Sequence, residues 1–133
     1  AAVEHAGADS ARILARRMAV LLERGASPVR ALVEAYLTDQ HVQTTNGGCP
    51  VAALGTEMPR QAGDVRDVSR QRVTALIDTV SKVLPPDSPK GHAFALASSL
   101  VGAVQLARAL GEQGKDMLRA TSETLIKQYD QAK

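Results

Sequence analysis

The run HAFALASSLVGAVQLARAL, residues 92–110, is apolar or small almost all the way round a helical wheel. Phe94, Leu96, Leu100, Val101, Val104, Leu106 and Leu110 supply its bulk, with Ala93, Ala95, Ala97, Ser98, Ser99 and Gly102 between them. A helix without a wide polar face has to be covered on two sides. A chain of 133 residues is long enough for one core but not two, so its own domain covers one side only. The other side calls for a second molecule, and a second copy is the simplest. Gln105 and Arg108 interrupt the run, which therefore reads as too short and too broken to span a bilayer.

The rest of the chain has the same helical spacing and no convincing period-two alternation. Aromatic residues make up only 2%, and a core of Ala, Leu and Val with so few rings favours helices over strands. In DSARILARRMAVLLERG, Leu14, Met18, Leu21 and Leu22 share a face and Gly25 is a stop. In SPVRALVEAYLTDQH, Ser27 caps and Pro28 takes the first helical position, ahead of a stripe of Val29, Leu32, Val33, Tyr36 and Leu37. After the loop QTTNGG, a short helix is expected from Pro50 until Pro59 ends or kinks it. A longer helix follows, capped by Asp64, with Val65, Val68, Arg72, Val73, Leu76, Ile77, Val80 and Leu84 inward. Pro85-Pro86 breaks it, and Ser88-Pro89 repeats the capping signal of Ser27-Pro28. GEQGK is a turn before DMLRATSETLIKQYDQ. The expectation is an all-α antiparallel bundle of about six helices in one domain, 1–133.

The net charge of +2 is mild and the two signs interleave, which leaves no electrostatic footprint for nucleic acid. The single cysteine, Cys49, forms no internal disulfide and no zinc site by itself, in keeping with a cytoplasmic protein. At the head of a helix its thiol would feel the positive dipole end, which favours a reactive thiolate. Nucleophilic catalysis also requires a fixed base and an orienting group, and His41 lies eight residues away across a loop. The opposing view of Cys49, as a small apolar residue at a helix–loop junction, has more in its favour. His5, His41 and His92 stand in no paired ligand motif, so neither a metal nor a cofactor is expected, and no catalytic residue is singled out.

The segments YLTDQH, GCPVAALGTEMPRQ and DVRDVSRQRVTALI, in that order, resemble the C-terminal regulatory domain of TetR/AcrR-type transcriptional regulators. SSLVGAVQLARAL likewise looks like that family's penultimate helix. The resemblance runs from about residue 11 to residue 126, and Pro59 departs from it. It implies a domain that binds a small lipophilic effector among its central helices and dimerises through its last two. It also implies that DNA is contacted only by an N-terminal helix-turn-helix module, of which residues 1–10 carry at most the tail of the connecting helix. The opening AAVEH, without a methionine, accords with sequence upstream. No membrane partner is expected.

On these grounds the effector pocket is expected among Leu14, Met18, Leu21, Tyr36, Leu54, Met58, Val73, Ile77 and Phe94, with Tyr36 or His41 as polar handle and Cys49 at its edge. The homodimer is expected through Ala95, Ser99, Gly102 and Leu106 on one helix and Leu118, Thr121, Leu125 and Tyr129 on the next, packed as a four-helix bundle. The function that follows is that of a repressor's regulatory domain, not of an enzyme. The alternatives are a thiol-based redox sensor or enzyme using Cys49, and a helical adaptor without a ligand.

Overall fold

A computed structural model of the chain describes residues 2–38 and 63–130, and the side chains of 11–38 and 70–130. Every regular element among these residues is helical, with no strand. Helix α1 (Ala2–Glu23) ends where the glycine demands. Gly25 sits at φ 97°, its N–H donating to the Leu22 carbonyl and that of Ala26 to the Leu21 carbonyl, both at 3.0 Å. This pair of bonds closes a helix C-terminus through a left-handed residue, a conformation that glycine adopts without a Cβ penalty.

Helix α2 (Pro28–Tyr36) begins as its sequence signal indicates. Ser27 is extended at φ −67°, ψ 160°, and its Oγ accepts from the Arg30 N–H at 3.3 Å. Helix α3 (Gly63–Val83) already includes Asp64, which therefore stands inside the helix and not before it. Helix α4 (Lys90–Leu110) corrects a second capping expectation. Its cap is Pro89, with no side-chain hydrogen bond, because Ser88 belongs to the preceding turn and donates its N–H to the Pro85 carbonyl at 3.0 Å. Gly111 at φ 65° ends α4, a 3-10 turn occupies Gly111–Gln113, and helix α5 (Gly114–Tyr129) returns antiparallel.

The core is built around α2. Val29, Ala31, Leu32, Val33, Ala35 and Tyr36 are all buried, so that short helix is covered except on its Arg30–Glu34 side. α1, α3 and α5 pack on it, while α4 packs between α3 and α5. Leu76 and Val80 of α3 and Leu84 just past its end are buried as their spacing predicts, with Val73 and Ile77 half-buried beside them. Arg72 is half-buried too. Leu22 departs from its expected inner position: it is 44% exposed, because α1 turns Leu14, Met18 and Leu21 towards α2 and leaves Leu22 past the edge of that contact. The third helix expected from Pro50, and residues 55–64 around Pro59 as far as position 62, lie outside the described residues.

Two contacts hold the α4–α5 hairpin together. At its closed end, a Cβ added to Gly114 would lie 2.5 Å from the Ala107 carbonyl oxygen, so only glycine admits this approach. At its open end the His92 and Tyr129 rings meet edge to face, centroids 5.7 Å apart at 77°. Gly114→Ala should therefore destabilise the chain by about 1–3 kcal/mol, the usual cost of overpacking. Gly91→Ala, where an added Cβ meets nothing within 4 Å, should cost far less. Urea titration of the two variants checks the difference.

Candidate functional site

The expected pocket residues divide into three groups. Tyr36 is 2% exposed in the core, and Leu14 and Met18 from α1 and Ile77 from α3 pack against the same core. Leu21 and Val73 are half-buried on the same two helices. These residues mark the junction of α1, α2 and α3, which Arg17 braces by donating from Nη1 to Thr38 Oγ1 at 3.3 Å. His41, Cys49, Leu54 and Met58 lie outside the described residues. Phe94 is the correction in this set. It is 53% exposed, because the inward face of α4 is formed by Ala93, Leu96, Ala97, Leu100, Ala103, Val104 and Ala107, and Phe94 falls on the far side.

The same wheel confirms that α4 is apolar on both sides. Its outward face presents Phe94 (53% exposed), Leu106 (58%) and Leu110 (45%), with Ala95, Ser98 and Ala109 also exposed and Ser99 and Gly102 half-buried. Above Gly102 there is open space, nothing lying within 4 Å of a Cβ built there. Ser98 donates its hydroxyl to the Phe94 carbonyl of its own helix at 2.8 Å.

On α5 the expected interface stripe is rearranged. Leu118 and Leu125 are each 4% exposed and belong to the chain's own core, so neither offers surface to a second copy. Tyr129 is half-buried with its ring on His92. The physical reason is the neighbour that this stripe meets: Gly114 touches Ala107, and the Gly114–Leu118–Leu125 side faces the chain's own core. Thr121 lies at the edge of that side, and beyond it Met117, Ala120, Thr124 and Gln128 form an uncharged flank. Thr124 also bonds back to its own helix, donating to the Ala120 carbonyl at 2.9 Å.

One groove was not foreseen. Between α2 and α5, Arg30, Glu34, Arg119, Ser122, Glu123, Ile126 and Lys127 line an open cleft of about 500 Å³. Arg30 and Glu34 pair across one turn at 2.9 Å. Only the packing of α2 on α5 brings these charges together. At one end of the α2–α5 contact the Ser27 hydroxyl donates to Asp130 Oδ2 at 2.7 Å, joining the start of α2 to the end of α5. No group of three or more metal-ligating side chains occurs among the described residues.

One segment within Lys90–Tyr129 is, by length and composition alone, apolar enough to cross a membrane, contrary to the sequence reading. That window is 39% buried inside the chain, as expected for a helix that contributes one face to a core.

Compared with protein families, residues 25–121 match the model described as "Tetracyclin repressor-like, C-terminal domain". No individual curated protein matches the chain. The matched span runs from the Gly25 stop to Thr121 and so contains α2, α3, α4 and the first half of α5.

The division of α5 into inward and outward residues is testable. Leu118→Ala should cost about 2–5 kcal/mol of stability, the range for truncating a buried leucine. Thr124→Ala, on the exposed flank, should cost less than about 1 kcal/mol, as is usual for surface changes. Thermal or urea unfolding at one fixed protein concentration checks both.

Proposed function

This chain belongs to the tetracyclin repressor-like C-terminal domain family, and on that premise we propose that it is the ligand-binding and dimerisation domain of a transcriptional repressor. Its role is regulatory and not enzymatic. A small apolar effector binds at the junction of α1, α2 and α3, and DNA is contacted by an N-terminal helix-turn-helix module of the whole protein. Effector binding alters the geometry of the dimer and so relieves DNA binding.

The observation that carries this proposal is the two-sided character of α4. One face is buried in the chain's own core, and the other exposes Phe94, Leu106 and Leu110 with no charged residue among them. Large exposed apolar surface of this kind marks an interaction site. A homodimer is the simplest arrangement that covers it, and obligate dimer interfaces commonly bury on the order of 2,000 Å² or more. On α5, Met117, Ala120, Thr121 and Thr124 form an uncharged flank.

The effector site is supported by position. Leu14, Met18, Tyr36 and Ile77 converge from three helices, and Tyr36 is the single aromatic ring in the buried core. Apolar side chains gathered around one buried tyrosine suit a lipophilic molecule.

Two experiments test the proposal. A thermal-shift screen of lipophilic compounds should find ligands that stabilise the chain. At 100 times Kd the gain should be about 2.7 kcal/mol. Leu21→Trp should abolish that gain while the chain still folds; stabilisation unaffected by the substitution would move the site elsewhere. For the dimer, Leu106→Asp should raise its dissociation constant at least about 100-fold, because an unpaired carboxylate would be desolvated. Sedimentation equilibrium reads this directly, and an unchanged constant would remove Leu106 from the interface.

A further inference from the structure

We propose that the effector is a lipophilic acid, and that the Arg72 guanidinium receives its carboxylate. This rests on the effector reading above and adds the chemical class of the ligand and the residue that recognises it.

Arg72 stands where a charge is costly. It lies one turn before Leu76 and two before Val80 on the inner stripe of α3, and it is half-buried while they are buried. A guanidinium keeps its charge when buried, and each N–H taken out of water needs an acceptor in exchange. Arg72 does interact with another group, yet its Nε is buried and meets no acceptor from the chain. Among the described residues it is the one buried side-chain nitrogen or oxygen in that condition. Buried polar atoms are nearly always hydrogen-bonded, so this exception points to an acceptor brought by a ligand.

The heights of the helices bring Arg72 to the proposed site. Three features mark one end of the bundle as its base: the Ser27–Asp130 hydrogen bond, the His92–Tyr129 ring contact, and the connection 84–89 from α3 to α4. Rising from Ser27 at 1.5 Å per residue, Tyr36 stands about 14 Å above that base. Counted back from Leu84 on the same rise, Ile77 stands at about 11 Å and Arg72 at about 18 Å. Counted back from Gly25, Met18 stands at about 11 Å and Leu14 at about 17 Å. Arg72 is thus level with Leu14 and about one turn above Tyr36. Side chains on a helix lean towards its N-terminus, so the guanidinium leans away from the base. A charged group therefore stands over a set of apolar ones, an arrangement that suits a ligand with one acidic head.

The other charges favour an anion there. Arg17 of α1 adds a second cation at the same junction, its Nη1 donating to Thr38. Arg12 and Arg16 of α1 are exposed. Among the described residues the carboxylates of these three helices are turned elsewhere: Glu34 pairs with Arg30 beside α5, and Glu23 and Asp78 are exposed. The choice of a carboxylate follows from the shape of the guanidinium. Its Nε and neighbouring Nη present parallel N–H groups that match the two oxygens of a carboxylate, whereas an alcohol brings only one oxygen.

Calorimetric titration of the unmodified chain with decanoate, decanol and decylamine tests this. Decanoate should bind at least about tenfold more tightly than decanol, as a charge-assisted pair requires, and decylamine should bind most weakly. Arg72→Gln should bring decanoate down to the level of decanol and leave decanol binding unchanged. Arg72→Lys, which keeps the charge and loses the fork, should fall between. If Arg72→Gln does not fold, the Lys variant and the preference of the unmodified chain decide. Equal binding of decanoate and decanol by the unmodified chain would overturn the proposal, as would a preference for decanoate that survives at Arg72→Gln. Decanol binding that is then lost in Leu21→Trp would keep the effector site while removing the acid. Binding of none of the three probes would overturn the acid and the apolar site together.

Discussion

The burial of α2 is the constraint on which the rest of the structure depends. A nine-residue helix is too short to hold its shape alone in water, because nucleation costs more than so few hydrogen bonds return. It persists here because Val29, Leu32, Val33 and Tyr36 are taken out of water by three different neighbours. Burying each such side chain fully contributes about 1.5–3 kcal/mol. α1 packs along one side and α5 along another, and the Ser27 hydroxyl, already the N-cap of α2, donates to Asp130 at the end of α5. A displacement of α2 would thus be felt in both the helices that line the proposed effector site and the helix that flanks the proposed interface.

With α2 in the centre, α4 cannot be buried on both faces. Its inward residues meet the core beside α3 and α5, and no further helix of the described chain covers Phe94, Leu106 or Leu110. The close approach of Gly114 to Ala107 then fixes the phase of α5, turning Leu118 and Leu125 inward and leaving threonines and Met117 at the edge. The junction of α1, α2 and α3, where the effector is proposed to bind, is thereby kept apart from the outward face of α4.

Much of this was legible in the sequence, for reasons that differ from residue to residue. The ends of α1 and α2 were readable because Gly25 and Ser27-Pro28 act locally, through φ and through one side-chain hydrogen bond. The inner stripe of α3 was readable because its period is regular from Leu76 to Leu84. Ser88-Pro89 misled because the same two residue types were taken up by the preceding proline turn. Leu118 and Leu125 were assigned to the right helix but the wrong side, since periodicity gives a face and not the neighbour that the face meets. Phe94 misled for the same reason: on a helix apolar all round, no polar stripe marks which side is outward. The cleft between α2 and α5 left no trace, because it arises from charges on two helices far apart in the chain. The family resemblance, carried by a few short segments, is matched by the family model over residues 25–121.

The central claim is that the outward face of α4 is covered by a second copy of this chain. The most direct measurement is the solution mass of the unmodified protein by light scattering after size exclusion, at micromolar concentration. The account predicts twice the chain mass of 14.0 kDa, unchanged on moderate dilution. A folded, monodisperse species at the mass of one chain would contradict it.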